Sequence, residues 1–422
     1  MSDISKLAID GGEPVIKKPM PPRRHFGIEE KNASMAMFDE AIRNGMPFAY
    51  DGEQEEGFCK EFANAYGGGY ADGVNSGTNA VHVALRAINP EPFTEVIVGA
   101  VTDAGGIMPI AMCNCIPVIA DVAPGTYNTS AEEIEKVITP LTSAIIVPHI
   151  GGEPADMLKI MELAGRRGIP VIEDCSQSHG AEINGRRVGA FGDIAAFSLM
   201  YGKHICTGGQ GGMVFTRNEE LYWRIRRAAD RGKPYNIQNS KGNVFAGLNC
   251  NMSELEAAIG RAQLKKLNNI IERRTEVAGM IREELKGSRT VIFPELPSGF
   301  KHSYWWWRLK ISLDALPERD KFTFLRAVSA EGLTLIDDYS FAIQSACDWF
   351  TKRHVFGSTN YPWCAKEYKG DASRQFPIPN TRKTMSEHFN LFLYESWGRG
   401  EAKAVAEAFL KVENAMCKGS GK

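Results

Sequence analysis

The stretch FSLMYGKHICTGGQGG, residues 197–212, decides how this chain reads. It sets Ser198 five residues before Lys203 and then runs into glycine. A lysine in a loop beside a glycine-rich turn has three readings. It is a solvated surface charge, a phosphate clamp, or the amine that holds pyridoxal phosphate (PLP) as a Schiff base. The run VIEDCSQSHG, residues 171–180, reads as a buried strand that ends in an acid, Asp174. An acid at the carboxyl end of a strand, followed by such a lysine, suits a PLP site. The pyridinium nitrogen of that cofactor needs an anion, and its aldehyde needs an amine.

A phosphate needs its own cradle, and residues 71–85, ADGVNSGTNAVHVAL, offer one. They read as a strand, a tight Ser-Gly-Thr turn and a helix. Gly77 permits close backbone approach and Thr78 opens the helix, so free N–H groups and the positive helix end face the turn. The plainer reading is that Ser76 or Thr78 is only a helix N-cap. Ser198, expected on the same edge of the sheet, adds a hydroxyl donor for the same phosphate.

From Tyr70 to Thr216 short apolar strands alternate with helical segments, which predicts a mostly parallel sheet covered by helices on both faces. The chain has 422 residues, too many for one simple core, so a large and a smaller domain are expected. The reading is an N-terminal arm over 1–30, a large domain over 31–285 and a small α+β domain over 286–422. A long helix over Ser253–Leu285 would cross between the domains. HSYWWWRLKISL, residues 302–313, reads as a strand with at least one tryptophan facing the small-domain core, and Ser386–Leu391 as helical. Gly419–Lys422 reads as a flexible tail.

The charge balance, 49 basic against 51 acidic residues, carries no footprint for nucleic acid or an anionic membrane. There is no apolar run long enough to span a bilayer and no apolar signal-peptide core, so a cytoplasmic location is expected. The nine cysteines are scattered. Cys113 and Cys115 lie close together in an apolar segment, but no second pair completes a metal site, and no metal is expected.

Taken in order, GVNSGTNAVHVAL, PVIADVAPGTYNTSAEEIEKVIT, VIEDCSQSHGA, GDIAAFSLMYGKH, GGQGGMVFT and GLNCNMSELEAAIGRAQL resemble the sugar aminotransferases of the DegT/DnrJ/EryC1/StrS family, among the fold-type I PLP enzymes. The resemblance covers most of residues 20–290 and is looser beyond. It implies the α/β fold of PLP-dependent transferases, like that of aspartate aminotransferase. It implies that Lys203 forms the Schiff base with PLP and shuttles a proton, and that Asp174 pairs with the pyridinium nitrogen. Gln177 would bond the ring hydroxyl, and Gly77, Thr78 and Ser198 would hold the phosphate. Asn251, with Asn249 as the alternative, would reach the phosphate from a neighbouring subunit, so a homodimer with shared sites is implied. The implied reaction moves an amino group from glutamate or glutamine to a keto sugar, sugar nucleotide or keto cyclitol. The opening LAIDGGEPV, residues 7–15, is similar to the start of cyclitol aminotransferases.

Two departures stand out. Many relatives stack an aromatic residue on the cofactor ring, where this chain reads GAVTDAGG with Asp103 at that position. Many carry GEGG after the lysine, where this chain has the longer TGGQGG. Some relatives replace the lysine by histidine and act as dehydratases. His204, next to Lys203, therefore keeps open a PLP-dependent sugar dehydratase or lyase, and a non-catalytic regulator of the same fold is a third class. His149, His204 and His179 are candidates near the site, His149 and His204 as substrate contacts. His82 reads as structural. The run YWRIRRAADRGK, residues 222–233, reads as either an anionic-substrate contact or a salt-bridged solvated face. Trp305–Trp307 read as core or as a sugar-stacking surface.

Overall fold

The computed structural model describes residues 6–316 and 320–417. The tail read over 419–422 lies outside them. Seven strands form the central sheet: Tyr70–Val74 (β1), Glu95–Gly99 (β2), Ile116–Ala120 (β3), Thr142–Pro148 (β4), Val171–Asp174 (β5), and, after the short pair Glu182–Ile183 (β6) and Arg186–Arg187 (β7), Ile194–Ser198 (β8) and Gly212–Thr216 (β9). Their order is β1-β9-β8-β5-β4-β2-β3. All the central strands run parallel except β9, which lies antiparallel between β8 and β1. The reversal brings the glycine run 208–212 back beside Ser198, where Ser198 pairs with Gly212.

Apolar side chains on both faces of the sheet explain the unbroken hydrophobic strands. One core joins Val98, Ile146 and Ile172 to helix Gly77–Ile88, and the other joins Ile97, Ile145 and Phe197 to helix Glu53–Ala65. A second sheet is antiparallel, in the order β10 (Val291–Ile292), β12 (Trp307–Ile311), β14 (His388–Leu391), β13 (Leu335–Ile336). It packs with helices Lys321–Ala330 and Arg399–Met416 and with Val277, Ala278 and Ile281 of helix Leu267–Glu284. The strand Phe300–Lys301 (β11) pairs with β6 and ties the two halves together. Among the described residues no helix is long and apolar enough to cross a membrane.

Three local expectations change. The predicted helix Ser253–Leu285 is two helices, Glu254–Leu264 and Leu267–Glu284, separated at Lys265–Lys266. The first carries a capping box between Ser253 and Glu256. Residues 386–391 were expected to be helical, but helix Pro379–Glu387 ends there and His388–Leu391 is a buried strand. The strand expected over 302–313 is confined to Trp307–Ile311, because Tyr304 takes the left-handed conformation, with φ of 53°. The three tryptophans then part company. Trp306 enters the core of the large sheet, Trp307 enters the core of the small sheet, and Trp305 faces the cavity described next.

Residues 339–376 have little regular structure and pack along β3. Trp363 and Tyr368 cover Ala111 and Ile116, and the Tyr368 hydroxyl donates to Glu95 Oε1 at 2.8 Å.

Candidate active site

A cavity of about 280 Å³ opens at the carboxyl ends of the parallel strands, where Pro148, Asp174 and Ser198 each finish a strand. Ser76, Gly77 and Thr78 border it at the start of helix Gly77–Ile88. Ser76 is indeed the N-cap, its Oγ accepting from Asn79 N at 3.1 Å. The N–H groups of Gly77 and Thr78 stay without an acceptor among the described residues and face the cavity end of the helix. A Cβ on Gly77 would come within 2.6 Å of Ser198 Cβ, so the turn and Ser198 close on each other as only glycine permits. Gly77→Ala is expected to lower stability by about 1–3 kcal/mol through overpacking and to weaken anion binding at this turn. A urea unfolding curve and a phosphate titration of the variant check this.

Lys203 is buried at the floor of the cavity. Its amine makes no hydrogen bond or ion pair with the described residues and lies 4.0 Å from the ring centroid of Trp305. Trp305 is itself fixed by an Nε1–H bond to Gly202 O at 2.8 Å. Burial pulls the Lys203 ammonium down to about 8, opposed by Asp174 and Asp103. Burial equally pushes the Asp174 carboxyl up, while its hydrogen bond from Ser176 and the charge of Lys203 hold it down. The second carboxylate oxygen of Asp174 faces Gly106, where a Cβ would approach to 2.9 Å.

Gln177 lines the cavity and braces it. Its Oε1 accepts from Gly151 N at 2.8 Å and its Nε2 lies 3.4 Å from the Tyr339 hydroxyl. Asp103 caps helix Ala104–Met112, accepting from Gly105 N at 3.0 Å, so the loop that departs from the family pattern ends in a helix cap. Trp305 is the one indole on the cavity wall among the described residues. The longer glycine run brings Gln210 to the same wall, held where Thr207 Oγ1 donates to Gln210 O at 2.7 Å.

Of the two histidines expected to touch substrate, His149 borders the cavity and His204 lies outside its lining, and both are buried. His149 is fully enclosed, its Nε2–H donating to Glu173 Oε2 at 3.1 Å and its Nδ1 accepting from Ala155 N at 3.0 Å. His204 lies beneath Lys203 with Nε2 bonded to Ser303 O at 2.9 Å, outside the cavity lining. His179 is buried too, bonded to Ser198 O at 2.8 Å. Burial holds both of the latter rings neutral. His149, Glu173 and Cys175 come close enough to suggest a metal site. Glu173, however, is already spent on the backbone N–H groups of Gly189, Phe191 and Gly192 at 2.6–2.8 Å.

Asn251 lies outside the cavity of its own chain, its Nδ2 bonded to Asn249 Oδ1 at 2.7 Å. The arginine-rich helix lies elsewhere as well. Arg224 pairs with Glu220, and Arg226 with Asp72 at 2.8 Å.

The donor set fits PLP. One neutralisable amine, one buried carboxylate and a helix start with open N–H groups converge on one cavity. Comparison with known proteins agrees. Residues 29–410 match the model of the DegT/DnrJ/EryC1/StrS aminotransferase family. A UDP-N-acetyl-3-dehydro-alpha-D-glucosamine 3-aminotransferase of Acidithiobacillus ferrooxidans is 38% identical over 60% of this chain and 67% of its own length. An L-glutamine:2-deoxy-scyllo-inosose aminotransferase of Streptomyces kanamyceticus is 31% identical over 63% of this chain and 64% of its own. The chain thus spans about two thirds of these curated relatives. The crystal structure of an aminotransferase from Psychrobacter cryohalolentis superposes with a TM-score of 0.81 at 26% identity, covering 94% of this chain and 100% of that one. With motif order, fold and cavity in agreement, this chain belongs to the DegT/DnrJ/EryC1/StrS aminotransferase family.

Proposed function

We propose that this protein moves an amino group from glutamine or glutamate to a keto sugar, sugar nucleotide or keto cyclitol, with PLP held at Lys203. The observation that carries the reading is the buried amine of Lys203, free of any ion pair, in the same cavity as the buried Asp174. When bound, PLP supplies an aldehyde that condenses with amines and a ring that takes up the electron pair released at the substrate carbon. Lys203 Nζ, depressed toward neutrality, would hold the cofactor through its aldehyde and would serve as the proton carrier of the site. Asp174 would keep a proton on the ring nitrogen, and Ser198 with the N–H groups of Gly77 and Thr78 would bind the phosphate. Gln177, which braces Gly151, would bond the ring hydroxyl.

The test is the visible absorbance of the protein with PLP, before and after glutamine or glutamate. A band that bleaches as keto acid is released supports the reading. A band that never bleaches refutes the donor, and no band refutes Lys203.

The working unit is a homodimer in which Asn251 of each subunit completes the phosphate site of the other. Supporting this, Ile28, Met35, Phe38, Ile42 and Met46 lie exposed along or just beyond helix Ile28–Asn44, and Tyr201 is 70% exposed beside the cavity. Exposed apolar side chains repeated along one helix call for a cover. Mixing Lys203→Ala with Asn251→Ala subunits is expected to restore up to about one quarter of wild-type activity, since each hybrid dimer holds one intact site. No recovery on mixing would count against the shared site. The location expected from the sequence, the cytoplasm, is retained as part of this proposal.

A further inference from the structure

The carboxylate of Glu395 sits between two guanidinium groups. Its Oε1 accepts from Arg23 Nε at 3.1 Å and its Oε2 from Arg274 Nε at 2.8 Å. Each arginine also donates to main-chain carbonyls beside the cavity. Arg23 donates to Lys203 O at 2.6 Å and to His204 O at 3.0 Å. Arg274 donates to Tyr304 O at 2.6 Å and to Trp305 O at 3.1 Å. These carbonyls belong to the two residues whose side chains face each other, Lys203 and Trp305, and to their neighbours.

Through its two arginines one carboxylate therefore links four other parts of the chain: the N-terminal arm, the lysine loop, helix Leu267–Glu284 and the loop before β12. Arg274 is buried, and Arg23 and Glu395 expose only 13% and 12% of their side chains, so water competes little for these bonds. Tyr304 also needs the support, because it holds a left-handed φ of 53° that a residue with a side chain rarely adopts. Planar guanidinium forks suit this double duty, which a lysine ammonium would not reproduce.

We propose that Glu395 is a positioning residue: through Arg23 and Arg274 it locks the backbones of Lys203 and Trp305 together, so that the N-terminal arm is a working part of the active site. The inference rests on the reading of Lys203 as the reactive amine.

The test is amide hydrogen exchange of the full-length protein as purified, with Glu395→Gln and Arg23→Gln. The second variant lies on the arm, outside the apolar cores, so it guards against a folding defect. Glu395→Gln is expected to speed exchange about tenfold in residues 200–206 and 302–307. Arg23→Gln is expected to speed it in 200–206 only. Neither should alter β2. After PLP is added, the pH midpoint of the visible band is expected to move by about half a unit or more in both variants. Unchanged exchange in the two loops, or a uniform rise over the whole chain, overturns the proposal. A wild-type protein that forms no band refutes the lysine assignment instead, while the exchange pattern still judges the clamp.

Discussion

Lys203→Ala is expected to abolish amino transfer, by at least about 10³-fold, and to leave no visible band on adding PLP. The expectation comes from the absence of a substitute. Among the described residues no other lysine lines the cavity, and His204, which follows, is turned away onto Ser303. Turnover near the wild-type rate would place the chemistry elsewhere. A companion variant separates chemistry from stability. Lys203→Met keeps an unbranched stem and loses the buried charge. The ammonium is held down to about 8 from an ordinary 10.5, which costs the folded state roughly 3 kcal/mol while the amine is charged. Because the folded value is the lower one, the unfolded chain binds more protons between about pH 8 and 10.5. Wild-type stability therefore rises through that window, and the penalty is complete below it. In protein stripped of cofactor, Lys203→Met is expected to match or exceed wild-type thermal stability at pH 7. Its advantage should shrink as the pH passes 8. A constant difference from pH 7 to 10 would contradict the buried-charge account.

Asp174→Asn is the second large effect. The substitution keeps an oxygen able to accept from Ser176 N, now at 3.1 Å, and so leaves the turn after β5 in place. It removes what is, among the described residues, the one carboxylate that ends a strand at the cavity. A neutral amide does not hold a proton on a ring nitrogen as an anion does, and a charge-assisted bond is roughly twice as strong as a neutral one. The expected loss is on the order of 10²-fold or more in kcat/KM, with PLP still bound. Burial pushes the native carboxyl up, so exchanging it for an amide also removes a desolvation cost, and thermal stability should not fall. Near-normal turnover in this variant would remove Asp174 from the site.

The parts of the site visible in the sequence were those written in local code. Asp174, Gln177, Ser198 and Lys203 follow one another within thirty residues, each fixed by a strand end or the turn after it. Gly77 and Thr78 were legible because a strand, a tight turn and a helix announce a helix start. The clamp was not legible. Arg23 and Lys203 are 180 positions apart, and Arg23 and Glu395 372. No spacing rule connects such residues. Trp305 was ambiguous for another reason. A run of three tryptophans reads as a strand, and the left-handed turn at Tyr304 that redirects it leaves no signature in residue type. The segment His388–Leu391, alternately polar and apolar, shows the limit of periodicity, since four residues are too few to separate one helical turn from a buried strand. Residues 339–376 lack either period, and their place is set by packing, on β3 and, through Tyr339, beside Gln177.

That packing has a consequence for the behaviour of the chain in solution. β3 is the last strand of the central sheet, five residues long and buried throughout. Left bare, it would offer a flat apolar ladder to any other strand, an open invitation to runaway polymerisation. The strap of Trp363 and Tyr368 denies that invitation, and the bond from Tyr368 to Glu95 fastens the strap to the neighbouring strand, β2. Proteolytic nicking within this strap is expected to leave the cavity lining untouched and to promote aggregation, which light scattering of the nicked protein would read.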